Sequence, residues 1–129
     1  MARLRYKKKS KRIGKYKSVL ESLVAKRLGR KARYESHKLK YTVPAKDREY
    51  SPDFTIVKTD GNIIHIEVKG FLRYEDQMKM RWVKECNPKA DIRFYFPKDS
   101  KVHISKLTNS QWCEKYGYKY YIGELPKEL

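Results

Sequence analysis

Only two cysteines occur in the chain, Cys86 and Cys113. They show no metal-ligand spacing, so free thiols in a reducing cytoplasm are expected. No run of about 18 apolar residues exists, which argues against any membrane span. The N-terminus also lacks the apolar stretch that a secretory signal needs after its basic start. Repeats and low-complexity linkers are missing beyond that basic stretch. Acidic residues are scarce: 15 Asp and Glu stand against 32 Lys and Arg, leaving a net charge of +17 and a pI near 9.9. A solubility surface does not need one sign in such excess. A field of this strength attracts polyanions, and nucleic acid is the expected partner.

What remains is ordinary for a folded domain. The 129 residues are 40% hydrophobic, enough for one modest core and too few for two. Eleven tyrosines suit a small core beneath a working polar surface. Residues 1–17 carry nine basic side chains and no acidic one, and read as an arm that lies on phosphates. Residues 18–129 read as a single domain.

Ser18 opens a helix, with Glu21 in the S-x-x-E capping-box relation and Gly29 as its stop. Leu20, Leu23, Val24 and Leu28 share one helical face. From 32 to 43 the period changes to two, with Leu39, Tyr41 and Val43 on one side, until Pro44 breaks the strand. Glu35 would lie on the face of Leu39 and Tyr41. The polar stretch 44–51 looks like a connector. A hairpin follows, turning at Asp60-Gly61, with Ile64, Ile66 and Val68 facing the core. Residues 75–86 read as a helix with Met78, Trp82 and Val83 inward, stopped at Asn87-Pro88. Ile92, Phe94 and Phe96 mark a buried strand. Thr108 and Gln111 cap a short helix that Gly117 ends, residues 120–122 form a last strand, and 123–129 are a tail. The fold class is α/β: a mixed (α+β) sheet flanked by helices.

The chemistry-bearing segment is Pro52-Asp53 followed by Glu67-Val68-Lys69. Alternate side chains of a strand share a face, so Glu67 and Lys69 point one way while Val68 enters the core. The Asp60-Gly61 turn brings Asp53 back beside them. Two carboxylates from neighbouring strands are the oxygen donors that a hard cation such as Mg²⁺ prefers. Such an ion would polarise a phosphodiester and activate water, with Lys69 orienting that water or stabilising developing charge. An Asp after Pro, or a Glu/Lys pair on a solvated strand, is ordinary in a chain that is 36% charged. Their conjunction in a strongly basic protein is not. His65 shares the face of Glu67 and Lys69; lining the cleft and facing solvent are both open to it.

This pattern is the motif of the PD-(D/E)xK nuclease superfamily. The chain from Gly14 to Phe71 resembles the endonuclease I family of T-seven-like phages, which resolves Holliday junctions. Ser18 through Glu21, Tyr34-Glu35, Val43-Pro44-Ala45, Tyr50-Ser51-Pro52-Asp53-Phe54 and Glu67-Val68-Lys69-Gly70 carry the likeness. It resumes at Asp91-Ile92-Arg93 and Cys113-Glu114-Lys115-Tyr116-Gly117. The resemblance implies a restriction-endonuclease-like fold in a domain-swapped homodimer, with 44–51 as the swap bridge. It implies Glu21, Glu35, Asp53, Glu67 and Lys69 as the catalytic set. Asp53, Glu67, Glu21 and the Val68 backbone carbonyl would be ligands of Mg²⁺ or Mn²⁺, two ions per site. For Glu21 a purely structural capping role competes with that assignment.

The implied substrate is a four-way or otherwise branched DNA in the cytoplasm of a bacterial host. A homing endonuclease of the same fold, cutting one duplex site, is the alternative; a non-catalytic basic nucleic-acid-binding protein is the remote one. The candidate phosphate contacts are Arg3, Arg5, Lys7, Lys8, Lys9, Lys11 and Arg12 of the arm, with Arg30, Lys31 and Arg33. The arm is more basic than the family leads one to expect.

Overall fold

In a computed structural model the described residues are 14–43 and 46–129, with the side chains of 42, 43, 46 and 47 left aside. Pro44 and all seven named basic residues of the arm therefore lie outside the described residues. Helix α1 (Val19–Leu28) begins as expected, with the Ser18 side chain accepting from the Glu21 N–H at 3.1 Å. The other half of the capping box is missing. Glu21 accepts from the Lys17 N–H at 3.0 Å instead, which leaves its carboxylate directed away from a simple cap. Gly29, at φ 77, ends the helix and leads through a short 3₁₀ turn into β1 (Ala32–Tyr34).

The single strand expected over 32–43 is broken. Glu35 adopts φ 46, a left-handed conformation rare for a residue with a Cβ, and the chain leaves the sheet there. β2 (Leu39–Val43) then pairs antiparallel with β3 (Lys46–Tyr50) as a separate two-stranded ribbon. Glu35 is accordingly not on a strand face with Leu39 and Tyr41. The expected connector is largely strand. A ribbon that presents polar side chains such as Lys40, Arg48 and Glu49 to solvent needs no strict apolar alternation to pair its backbone. Arg48 and Glu49 are exposed, whereas Tyr50 is 1% exposed and anchors the ribbon in the core.

β4 (Phe54–Val57) and β5 (Ile63–Val68) form the expected hairpin, with Gly61 at φ 88 in its turn. α2 (Tyr74–Cys86), β6 (Asp91–Phe96), α3 (Asn109–Tyr116) and β7 (Lys119–Ile122) follow. The main sheet runs β1-β4-β5-β6-β7, antiparallel through β5 and parallel from β5 to β7. Two helical crossovers supply the parallel part. The mixed sheet flanked by helices is thus as expected.

Each face of the sheet buries one apolar cluster. Leu20, Val24 and Leu28 of α1 pack on Phe54, Ile66 and Val68, while Leu23 is only half-buried. On the other side Met80, Val83 and Trp112 pack on Ile92, Phe94 and Phe96. The inward stripe of α2 is Gln77, Met80 and Val83, leaving Met78 and Trp82 half-buried at its margin. Gln77 tolerates burial because its amide donates to the carbonyls of Leu72 and His103, at 3.2 and 2.8 Å. The C-terminal segment is no loose tail: Leu125 is fully buried beneath α1, and Arg27 Nε donates to its carbonyl at 3.1 Å. Among the described residues, no helix is long and apolar enough to cross a membrane. Cys86 is exposed and Cys113 buried, and the two form no disulfide with each other.

Candidate active site

The β4–β5 register sets Phe54 opposite Ile66, which brings Asp53 level with Glu67 at the end of the hairpin. Asp53 Oδ2 accepts from the Val68 N–H at 2.8 Å, fixing the carboxylate against β5. The Glu35 N–H donates to the Asp53 carbonyl at 3.0 Å, so the left-handed residue after β1 is held beside the start of β4. α1 delivers Glu21 from the neighbouring side. Carboxylate oxygens of Glu21, Glu35 and Asp53 come within 4.8 Å of one another, all three from one chain. Lys69 lies just beyond β5, with Nζ 3.3 Å from Glu67 Oε2 and 3.3 Å from Asp76 Oδ1. All five residues expected in the site are therefore neighbours. The Val68 backbone meets Asp53 through its N–H; its carbonyl remains an expectation from the family.

Glu21 and Glu67 are buried, at 8% and 6% exposure, and each is held by a tyrosine. The Tyr34 hydroxyl donates to Glu21 Oε1 at 2.6 Å, and the Tyr50 hydroxyl to Glu67 Oε1 at 2.6 Å. Burial, together with the partner carboxylate, pushes both phenols above their ordinary range, so they remain donors. Neither tyrosine was picked out from the sequence as part of the site. Their only sequence signal was adjacency, Tyr34 beside Glu35 and Tyr50 in Tyr50-Ser51-Pro52-Asp53. Asp76 was also missed. It reaches Lys69 from the first turn of α2 while accepting from the Arg73 N–H at 3.2 Å. Lys17, read only as part of the arm, sits with Nζ 3.0 Å from Glu35 Oε2.

The electrostatics show a site with more negative charge than it can hold alone. Burial, and next the Glu67 carboxylate, push the Asp53 carboxyl up to about 9 in spite of its Val68 hydrogen bond. Burial works to lower Lys69, but Glu67, Asp76 and Asp53 outweigh it and hold the ammonium charged. Crowded, partly desolvated carboxylates of this kind need a proton or a cation between them. Oxygen donors from three elements suit a hard divalent ion, so the residues present fit Mg²⁺ or Mn²⁺.

His65 is buried and does not join the carboxylates. Its Nδ1 meets Thr55 Oγ1 at 2.8 Å, and its ring lies 5.9 Å from that of His37. Arg30, Lys31 and Arg33 are exposed around the 3₁₀ turn and β1, with Lys31 Nζ donating to the Lys127 carbonyl. Lys15 and Lys26 line an open groove with Arg30 and extend this basic surface beyond the positions read from the sequence.

Residues 1–128 match the protein family described as phage endonuclease I. Endonuclease I of Escherichia phage T7 is 33% identical over 123 residues, spanning 92% of this chain and 80% of that protein. Endodeoxyribonuclease 1 of Enterobacteria phage T3 is 36% identical over 107 residues, spanning 79% of this chain and 68% of that protein.

Proposed function

The chain belongs to the phage endonuclease I family, and from that membership we propose that it is a metal-dependent DNA endonuclease acting on four-way and other branched DNA. One observation carries the reading. Asp53, Glu67 and Lys69, spaced as the superfamily motif requires, meet Glu21 and Glu35 in one buried, over-charged cluster. A structural ion pair would not need five ionisable groups drawn from four segments.

Asp53, Glu67, Glu21 and the Val68 carbonyl are the proposed ligands of Mg²⁺ or Mn²⁺. Asp53 stands between two sets of carboxylates, Glu21 and Glu35 on one side and Glu67 on the other, which favours two ions per site. Bound there, the ions supply a polarised phosphate and a water of lowered pKa. Tyr34 and Tyr50 each hold one oxygen, of Glu21 and of Glu67, while the second Glu67 oxygen faces Lys69 Nζ at 3.3 Å; these partners would orient the carboxylates for a bound ion. Lys69, kept charged by Glu67 and Asp76, donates to the attacking water or to the phosphate oxygen that gains charge. The basic arm, Lys15, Lys26, Arg30, Lys31 and Arg33 neutralise phosphates on either side of the cut.

The reading includes a PD-(D/E)xK fold and a domain-swapped homodimer. The β2–β3 ribbon lies between the half of the chain that supplies Glu21 and Glu35 and the half that supplies Asp53, Glu67 and Lys69. With 44–51 as the swap bridge, the first half would be exchanged between protomers and each site kept whole. Two sites related by a dyad suit paired cuts across a junction, and recognition through phosphate placement suits a sequence with no obvious base-reading helix.

The test is a side-by-side digest of a four-way junction and a linear duplex, with Mg²⁺ or Mn²⁺. Preferential paired cleavage of the junction is expected. Cutting at one duplex site regardless of branching would replace the resolvase reading with a homing endonuclease.

A further inference from the structure

Two lysines face the carboxylate cluster, and they are held very differently. Lys69 is largely buried between Glu67 and Asp76. Lys17 is fixed by its backbone, whose N–H bonds Glu21 Oε1 at 3.0 Å and Tyr34 Oη at 3.1 Å, while its side chain stays 64% exposed. That side chain arches back to put its ammonium 3.0 Å from Glu35 Oε2. Glu35 is one of the three residues whose carboxylate oxygens gather within 4.8 Å, and the charges of Glu21 and Asp53 also act on Lys17. A positive charge therefore stands at the edge of the most concentrated negative charge in the described residues. It is tethered through its backbone and exposed along its side chain.

We propose that Lys17 is a built-in counter-cation of the Glu21–Glu35–Asp53 cluster, neutralising Glu35 in the absence of a divalent ion and competing with that ion for the cluster. The inference rests on the metal-site reading above. An exposed ion pair of this kind is weak enough to be given up when a doubly charged ion arrives, whereas the doubly paired Lys69 is not. Lys17 thereby lowers the affinity of the cluster for divalent ions below what its carboxylates alone would give. It acts through Glu35, as a positioning and competing group, and its own contact with substrate is not required.

The experiment is calorimetric titration of Mn²⁺ into the full chain, without DNA, for the wild type, Lys17→Met and Lys17→Arg. Methionine keeps the length of the stem and leaves the backbone bonds to Glu21 and Tyr34 in place. Removing one repelling charge a few ångströms from the ion, on a partly exposed stem, should tighten Mn²⁺ binding about ten-fold. Lys17→Arg should bind as the wild type does. In a Glu35→Gln background, where the competitor has lost its seat, Lys17→Met should change little. Unchanged or weaker Mn²⁺ binding by Lys17→Met, with an unaltered melting profile, overturns the proposal while the metal site stands. A folded wild type that binds no Mn²⁺ overturns the metal-site reading and this inference with it.

Discussion

The Asp53→Asn substitution exchanges a carboxyl that the crowded site protonates for a neutral amide of the same shape. In the folded chain burial and Glu67 raise that carboxyl from the ordinary 3.8 to about 9. At pH 7 in EDTA the folded state therefore keeps a proton that the unfolded state releases. Holding a proton at pH 7 on a group of ordinary pKa 3.8 costs about 4 kcal/mol, at about 1.4 kcal/mol per pH unit. The neighbouring carboxylates share in the titration, so about half of that ceiling, ~2 kcal/mol, is the expected stabilisation by asparagine. The asparagine oxygen still accepts from the Val68 N–H, so that hydrogen bond is kept. The sign with pH follows directly. Because the folded pKa is raised, the wild type is most stable below about pH 4 in this respect and loses stability as pH rises toward 9, where the folded group finally ionises. Urea denaturation in EDTA at about pH 5, 7 and 9 measures this, and the advantage of the variant should grow with pH while cleavage is lost. A variant no more stable than the wild type, or an advantage that does not change with pH, would refute the reasoning.

Three further substitutions probe other parts of the structure. Tyr50→Phe removes the donor on Glu67 and should cost about 1.5–3 kcal/mol in urea denaturation. It should also lower cleavage about 10- to 100-fold, since groups that orient metal-binding carboxylates typically matter by that much; a fully active, equally stable variant would contradict the role given to Tyr50. Leu125→Ala should destabilise by about 2–4 kcal/mol, because the side chain is fully buried beneath α1. A shift under about 0.5 kcal/mol would mean that the C-terminal segment does not dock. Deleting residues 1–13 should reduce the salt dependence of DNA binding by up to about 6 in log–log slope if each named arm residue meets a phosphate, and an unchanged slope would remove the arm from the interface.

Much of this was legible in the sequence because the signals were local. Ser18 and Gly29 bound α1, Thr108, Gln111 and Gly117 bound α3, and Asp60-Gly61 turns the hairpin. Strand periodicity put Glu67 and Lys69 on one face, where they form an ion pair. The misses share a physical cause, since each depends on a partner distant in sequence. No glycine or proline announces the break at Glu35; its strained backbone is held by the Asp53 carbonyl. Polar β3 pairs with β2 without an apolar alternation to reveal it. Gln77 turns inward because Leu72 and His103 supply acceptors, which displaces Met78 from its expected place. Leu125 is one of two leucines in a short, otherwise mostly polar segment, and only its packing with α1 makes it core. The tyrosines on Glu21 and Glu67 lie 13 and 17 residues from their partners, beyond the reach of any strand or helix period. The family resemblance had already drawn Glu21 and Glu35 toward the site, where the capping reading alone would have left Glu21 outside it.

The central claim is that Asp53, Glu67 and Lys69 form the catalytic heart of a metal-dependent DNA endonuclease. Its most direct test compares the wild type with Asp53→Ala on a labelled four-way junction, measuring both binding and cleavage with Mg²⁺ or Mn²⁺ and again in EDTA. The account predicts that both proteins bind, that only the wild type cuts, and that it cuts only with the divalent ion. Cleavage by Asp53→Ala at the wild-type rate, or equal cutting in EDTA, would contradict it, as would binding by both proteins with no cleavage under any condition.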